Sequence, residues 1–271
     1  MALWFAAVLG LVQGAAEFLP ISSSGHLALL QAFFPGLAPE DSLLFDVVLH
    51  LGTLIALTAV YRRELWGLTK ALCSLPRRSG GGCGEDRRLL GLLALGSLPL
   101  GLILPLKGRI EEMSGDARLI GAALLLNGAL LYISDKVIAG RKQARQAGAA
   151  DALMVGLAQA FAALPGVSRS GSTVAAGLLA GFERPFAVRY SFLLSFPAVL
   201  GACLVKLAEA LKAGFDPAML LPCLAGTAAA ALSGLPAICL VRGLARRGRF
   251  RPFAYYCWAL GLSAIIASIL T

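Results

Sequence analysis

Apolar residues fall in long blocks along this chain, and polar residues gather between the blocks. A helix needs about 20 apolar residues to cross a hydrocarbon core of roughly 30 Å. Six blocks meet that length, outright or with snorkelling ends: approximately 43–61, 89–106, 117–134, 188–208, 218–241 and 253–270. Two further apolar regions, Leu3–Phe34 and Ala152–Phe182, are each broken at the middle by a Pro-, Ser- and Gly-rich sequence, PISSSGH at 20–26 and PGVSRSGST at 165–173. Each half is too short to span. Irregular backbone at membrane depth is tolerated only where it is buried in protein or lines a watery cavity, so these regions read as re-entrant helical hairpins. The pattern predicts an all-α integral membrane protein of six transmembrane helices plus two re-entrant hairpins, in one polytopic domain over 1–271.

Composition agrees. Hydrophobic residues make up 58% of the 271 and charged residues 14%, against roughly 45–50% and about 25% in soluble domains. That excess excludes disorder and argues strongly against a water-soluble domain. The six cysteines show no Cys-x-x-Cys spacing and mostly sit in apolar stretches, where small-hydrophobe packing is the expectation, with no disulfide or metal framework. The first apolar stretch lacks a basic leader and contains Glu17, so it is expected to belong to the mature protein.

The net charge of +9 is explained by placement. With both hairpins returning to the side they came from, segments 62–88, 136–151, 183–189 and 242–251 share one side and hold eighteen of the 24 Lys and Arg. The other side holds five, and Arg169 alone lies within a hairpin. By the positive-inside rule the basic side is cytoplasmic, both termini are outside, and clusters such as Arg246-Arg247 are topology signals rather than a nucleic-acid surface.

Superposed at an offset of 146 residues, Gln13 falls on Gln159, and Ser22-Ser23-Ser24-Gly25 on Ser168-Arg169-Ser170-Gly171. A Leu-Pro precedes the serines in both hairpins, and three spans follow each. The hairpins would enter from opposite sides, which predicts an inverted-topology repeat with halves of about 1–140 and 150–271 and a site near the midplane, where broken helices meet.

Gln13 and Glu17, four apart, share a helix face in an otherwise apolar segment. An ionisable group at that depth defaults to function. Ser22, Ser23, Ser24 and His26 follow at once, supplying hydroxyls and a side chain suited to proton transfer near neutrality. In the second loop Arg169 stands among Ser168, Ser170, Thr173, Gly166 and Gly171. Its planar fork matches phosphate bidentately, and the start of the following helix offers backbone amides to an anion. A carboxylate, a histidine, hydroxyls and an arginine inside a membrane suggest chemistry on a lipid-borne phosphate.

At this point the segments QGAAEFLPISSSGH (13–26), FDVVLHLGT (45–53) and PGVSRSGST (165–173) resemble, in order and separation, the bacitracin-resistance type of undecaprenyl-diphosphate phosphatase, over essentially the whole chain. The resemblance implies hydrolysis of undecaprenyl diphosphate to the monophosphate and inorganic phosphate, which recycles the lipid carrier of cell-wall synthesis. It also implies a site on the outer side of the bacterial cytoplasmic membrane and a divalent cation, Mg²⁺ or Ca²⁺, and it leaves room for a homodimer. The family's Glu/Gln-x-x-x-Glu motif is matched by Gln13 and Glu17, its Ser-x-Gly-His by Ser23, Gly25 and His26, and its second-loop motif by Pro165 through Thr173. Gln at position 13 leaves one carboxylate fewer for a metal, so Glu17 is the candidate ligand. Glu17, Ser23, His26 and Arg169 are the candidate catalytic residues. Gln13, Ser22, Ser24, Gly166, Ser168, Ser170 and Thr173 are the candidate substrate-binding ones. The nucleophile stays open between Ser23 activated by His26, His26 itself, and a metal-activated water.

Asp46 and His50, again four apart, read as a buried structural pair or as residues that orient the site. Two rivals remain for the function. Vanadium-haloperoxidase-like lipid phosphatases share Ser-Gly-His and Ser-Arg fragments, but Ala175 stands where their nucleophilic His is needed, and no Lys lies seven residues before Arg184-Pro185. A lipid-phosphate flippase or transporter would use the same inverted-repeat architecture.

Overall fold

The computed structural model describes residues 1–37, 42–74, 84–137, 140–213 and 217–270. They form eleven α-helices: α1 (Leu3–Phe18), α2 (Ser23–Phe33), α3 (Ser42–Cys73), α4 (Gly84–Ser97), α5 (Lys107–Met113), α6 (Ala117–Lys136), α7 (Ala149–Phe161), α8 (Arg169–Leu179), α9 (Arg184–Ala213), α10 (Leu220–Arg247) and α11 (Arg251–Leu270). Among the described residues there is no strand, only an isolated bridge between Lys142 and Phe182. Five helices, within α3, α6, α9 and α11 and over Pro217–Arg247, are long and apolar enough to cross a membrane. Leu98 and Leu232 remain 65% and 70% exposed. Exposed apolar residues of this number and size suit a lipid surrounding. The chain is a multi-pass membrane protein.

The sixth expected span, 89–106, is not one continuous helix. Its α part ends at Ser97, and 3-10 turns carry the chain over Leu98–Leu102 and Leu104–Leu106. Pro99 and Pro105 lie in that stretch; each lacks an amide and clashes with the preceding turn, which ends the i→i−4 ladder. In the other direction, α3 runs past the expected end at 61 to Cys73, with non-helical φ/ψ (−102°, 22°) at Tyr61.

Both interrupted regions fold as pairs of short helices. Pro20 holds Leu19 in extended backbone (φ −64°, ψ 141°), which stops α1 at Phe18. Ser22 then caps α2, its Oγ accepting from Gly25 N at 3.2 Å. In the second region Pro165 and Gly166 (φ +90°) turn the chain, and Ser168 Oγ caps α8 by accepting from Gly171 N at 3.1 Å.

Helix packing crosses between the two halves of the chain. α1 lies on α10, while α7 lies on α4; α3 meets α9, and α6 meets α11. These contacts are close because small residues face each other. A Cβ at Gly10 would strike the Gly226 carbonyl, and one at Gly156 the Gly96 carbonyl. The larger core fills in around Phe18, Tyr61, Phe182, Tyr190 and Phe192. At one end of the bundle Asp135 accepts from the amides of Phe250 and Arg251 at 2.8–2.9 Å and fixes the start of α11. The described cysteines are all free, with Cys203, Cys223 and Cys257 buried among apolar neighbours.

Candidate active site

The two loops meet. Asn127, on α6 and 1% exposed, donates through Nδ2 to the Pro20 carbonyl of the first loop at 2.9 Å and accepts through Oδ1 from Ser168 N of the second at 3.3 Å. Ser170 Oγ donates to the Leu19 carbonyl (3.3 Å), and the backbones touch where Gly25 faces Gly166 Cα. At Gly166 both the positive φ and the nearness of Ile120 O and Ala123 exclude a side chain. The loops are thereby locked into one unit, with the N-termini of α2 and α8 side by side.

A cavity of about 370 Å³ opens beside them, lined by Glu17, Ser22, Ser23, Ser24, Ser168 and Arg169, by Val47 and His50 of α3, by Gln159 of α7, and by Ala198, Val199, Ala202 and Cys203 of α9. Glu17 is its hub. The Arg169 guanidinium forms an ion pair with Glu17 Oε1, joining the two loops by charge. Glu17 Oε2 accepts from Ser23 Oγ at 2.7 Å and from Gln13 Nε2 at 2.9 Å, and His50 Nε2 lies 3.4 Å away. Arg169 also reaches toward the Ser195 carbonyl of α9 (3.5 Å). A guanidinium and the serine-capped N-termini of two helices thus border space large enough for a phosphate.

Of the residues singled out from sequence, Glu17, Ser22, Ser23, Ser24, Ser168 and Arg169 line this cavity. Gln13 stands behind it, fully buried and bound to Glu17. Gly166, Ser170 and Thr173 hold the frame: Gly166 against α6, Ser170 against Leu19, and Thr173 against the Arg169 carbonyl and Ser191 Oγ.

His26 is turned away from the cavity. Its Nδ1 bonds its own helix at the Ser22 carbonyl (2.6 Å), while Nε2 meets the Tyr256 hydroxyl on α11 (2.7 Å) and the two rings stack. Ser23 and His26, coupled in one of the three alternatives for the nucleophile, do not bond each other here, and the Ser23 hydroxyl has Glu17 as its partner. Ser23 and His26 are three positions apart, a spacing that puts them on one broad helix face, so it is the bonds to the Ser22 carbonyl and to Tyr256 that hold the imidazole away from the cavity.

The imidazole at the cavity belongs to His50. His50 Nδ1 bonds the Asp46 carbonyl (2.6 Å), and the Asp46 carboxylate accepts from Gln31 Nε2 (2.7 Å). Gln159 is the other residue that motif reading passed over. It is 1% exposed, and neither its Oε1 nor its Nε2 has a hydrogen-bond partner among the described residues. Its one sequence signal was the match to Gln13. Asn127 gave none.

Between α3 and α9 the polar cavity adjoins an apolar groove of about 640 Å³, lined by Leu51, Leu54, Ile55, Thr58, Phe196 and Leu200. Cavity residues Val47 and His50 on α3, and Ala198 and Val199 on α9, lie within a turn of the groove residues Leu51 and Leu200. An arginine-bearing polar cavity thus lies near an open apolar groove on the same two helices. As for a metal, no group of three or more His, Cys, Asp or Glu converges among the described residues, and Glu17 is the carboxylate in the cavity lining. One carboxylate among hydroxyls suits a hard cation that takes its remaining ligands from phosphate oxygens and water.

Comparison with known proteins gives a consistent answer. The profile of the family described as "Bacitracin resistance protein BacA" matches residues 6–263. An undecaprenyl-diphosphatase of Desulforapulum autotrophicum is 41% identical over 278 residues, covering 98% of this chain and 99% of that protein. One from Halothermothrix orenii is 40% identical, covering 95% of both chains. One from Methanosphaera stadtmanae is 36% identical, covering 97% of both.

Proposed function

The chain belongs to the bacitracin resistance protein BacA family, and from that membership and the cavity we propose that it is an undecaprenyl-diphosphatase, releasing inorganic phosphate from undecaprenyl diphosphate and leaving undecaprenyl phosphate. The observation that carries the reading is the meeting of Arg169 and Glu17, from two different loops, in one cavity that adjoins an apolar groove. The diphosphate occupies the cavity, and the prenyl chain leaves along the groove between α3 and α9. The transporter reading finds no support, since these relatives are named as diphosphatases.

Arg169 grips the terminal phosphoryl group through two N–H bonds and stabilises the charge that develops on it, with the first-turn amides of α2 and α8 assisting. As the guanidinium turns to phosphate, Glu17 is released to accept the Ser23 proton along the existing 2.7 Å bond. Ser23 Oγ then attacks the terminal phosphorus. The bond from phosphorus to the bridging oxygen breaks, and its electron pair leaves with undecaprenyl phosphate. Glu17, its proton meanwhile lost to solvent, deprotonates a water that attacks the phosphoserine phosphorus; the bond from phosphorus to Ser23 Oγ breaks, Oγ takes the proton back from Glu17, and phosphate is freed. His50 lies beside Glu17 and orients it, while His26 acts at a distance by fixing α2 against Tyr256. A divalent cation, Mg²⁺ or Ca²⁺, would be held by Glu17 with the substrate's oxygens and would neutralise diphosphate charge.

The membrane arrangement proposed with this site has six crossings, the region 89–106 supplying the sixth, and two hairpins that return to their own side. The halves form an inverted repeat in the cytoplasmic membrane, with the cavity facing outward. Its supports are the asymmetry of Lys and Arg and the reciprocal packing of α1 on α10 and α7 on α4.

The test is phosphate release from undecaprenyl diphosphate by purified protein in detergent, with Mg²⁺ or Ca²⁺ present. Turnover is expected there and lost in Arg169→Ala. Folded wild-type protein that releases no phosphate with either ion would refute the proposal.

A further inference from the structure

Gln159 poses a problem that Gln13 does not. On α1, Gln13 finds a partner one helical turn on, in Glu17. Gln159 stands two residues before the end of α7, and the residue four positions on is Ala163, so no carboxylate awaits the amide there. Both polar atoms of Gln159 stay unpartnered while the residue lines the cavity at 1% exposure. An unpaired buried amide is costly, and proteins rarely keep one without a use.

The other polar side chains of the cavity are already engaged. Ser22 and Ser168 cap helices, Ser24 bonds Ser22, and Glu17, Ser23, His50 and Arg169 form one network. That network must take the terminal phosphate, because the nucleophile and the guanidinium lie there. A diphosphate brings a second phosphate, and among the described residues Gln159 is the polar side chain of the lining left to meet it.

Resting on the proposed activity, we infer that Gln159 is the subsite for the prenyl-linked phosphate: Nε2 donates to an oxygen of that phosphate, and Oε1 accepts from a water that accompanies it. A neutral amide suits this place. It holds the group that becomes the product without adding a second cation that would retain it.

The probes are farnesyl diphosphate, farnesyl phosphate and inorganic phosphate, with purified wild-type protein, Gln159→Leu and Gln159→Glu in detergent. Leucine removes the unpaired amide at similar volume, so the ligand-free melting temperature should hold or rise. The KM for farnesyl diphosphate and the inhibition constant of farnesyl phosphate should each rise about 10-fold or more, the scale of one hydrogen bond to a charged group. The inhibition constant of inorganic phosphate should stay at its wild-type value. Gln159→Glu should lose more than leucine does, because a carboxylate would repel phosphate.

An unchanged inhibition constant for farnesyl phosphate in Gln159→Leu overturns the inference. So does an equal loss for inorganic phosphate, which would move Gln159 to the terminal subsite, or a fall in the ligand-free melting temperature, which would make the amide structural. The melting-temperature shift that farnesyl phosphate induces in wild type and in Gln159→Glu reads the same subsite without turnover. Wild-type turnover separately reports on the activity itself, so the two failures are distinguishable.

Discussion

Replacing Arg169 separates stability from catalysis. The Arg169–Glu17 pair crosses between the loops with side-chain exposures of only 21% and 5%, so neither charge is well solvated. Removing one member of such a pair leaves the other buried and unpaired, which costs about 3–5 kcal/mol. Arg169→Ala should lose stability on that scale. The double variant Glu17→Gln with Arg169→Met removes both charges and should recover most of the loss while remaining inactive. Arg169→Lys keeps the charge and should fold, but it cannot reproduce the planar fork. With one oriented donor to the phosphoryl group gone, kcat should fall roughly 10²–10³-fold. Thermal unfolding in detergent measures the first set of effects, and phosphate release from undecaprenyl diphosphate the second. Arg169→Lys with near-normal turnover would refute the bidentate role, and an active double variant would remove the pair from the mechanism altogether.

Four further outcomes can be measured. Glu17→Gln should lower turnover by about 10²-fold or more, the scale of a lost general base, and His50→Ala should lower it at least as much as His26→Ala. Tyr256→Phe should reproduce most of the His26→Ala effect; a far more severe His26→Ala would mean that His26 acts on substrate. Asn127→Leu should destabilise the protein by about 1–3 kcal/mol, since it strands the Pro20 carbonyl and the Ser168 amide, and equal stability would show that the loops are held together by other contacts. In a cysteine-free background, Ser114→Cys should react with a membrane-impermeant thiol reagent applied to intact cells and Gly248→Cys should resist it; the reverse pattern would invert the proposed topology.

The two loops were the most legible part of the chain, because Pro20, Pro165, Gly166 and the capping serines break helices for local reasons. Glu17 and Arg169 were legible too, as ionisable groups out of place among apolar neighbours. Rotation of a helix about its own axis is a different matter. Whether His26 or His50 faces the cavity depends on how α2 and α3 pack against α6, α10 and α11, which local sequence does not encode. Hydropathy likewise found the apolar block at 89–106 but weighed Pro99 and Pro105 too lightly, and it ended the preceding block at 61, where α3 kinks at Tyr61 before a further helical stretch runs to Cys73. Asn127 went unnoticed because a lone amide in a span has no motif. Its role appears only when both loops are brought to it.

The central claim, that both loops hold one diphosphate while its lipid leaves between α3 and α9, is tested most directly by an experimental structure with a non-hydrolysable methylene-bridged analogue of a prenyl diphosphate. The account predicts the terminal phosphonate against Arg169 and the first turns of α2 and α8, the second beside Gln159, and the prenyl chain along Leu54 and Phe196. A headgroup bound instead at a second cavity, lined among others by Glu64, Arg189, Arg242 and Arg246, would contradict it.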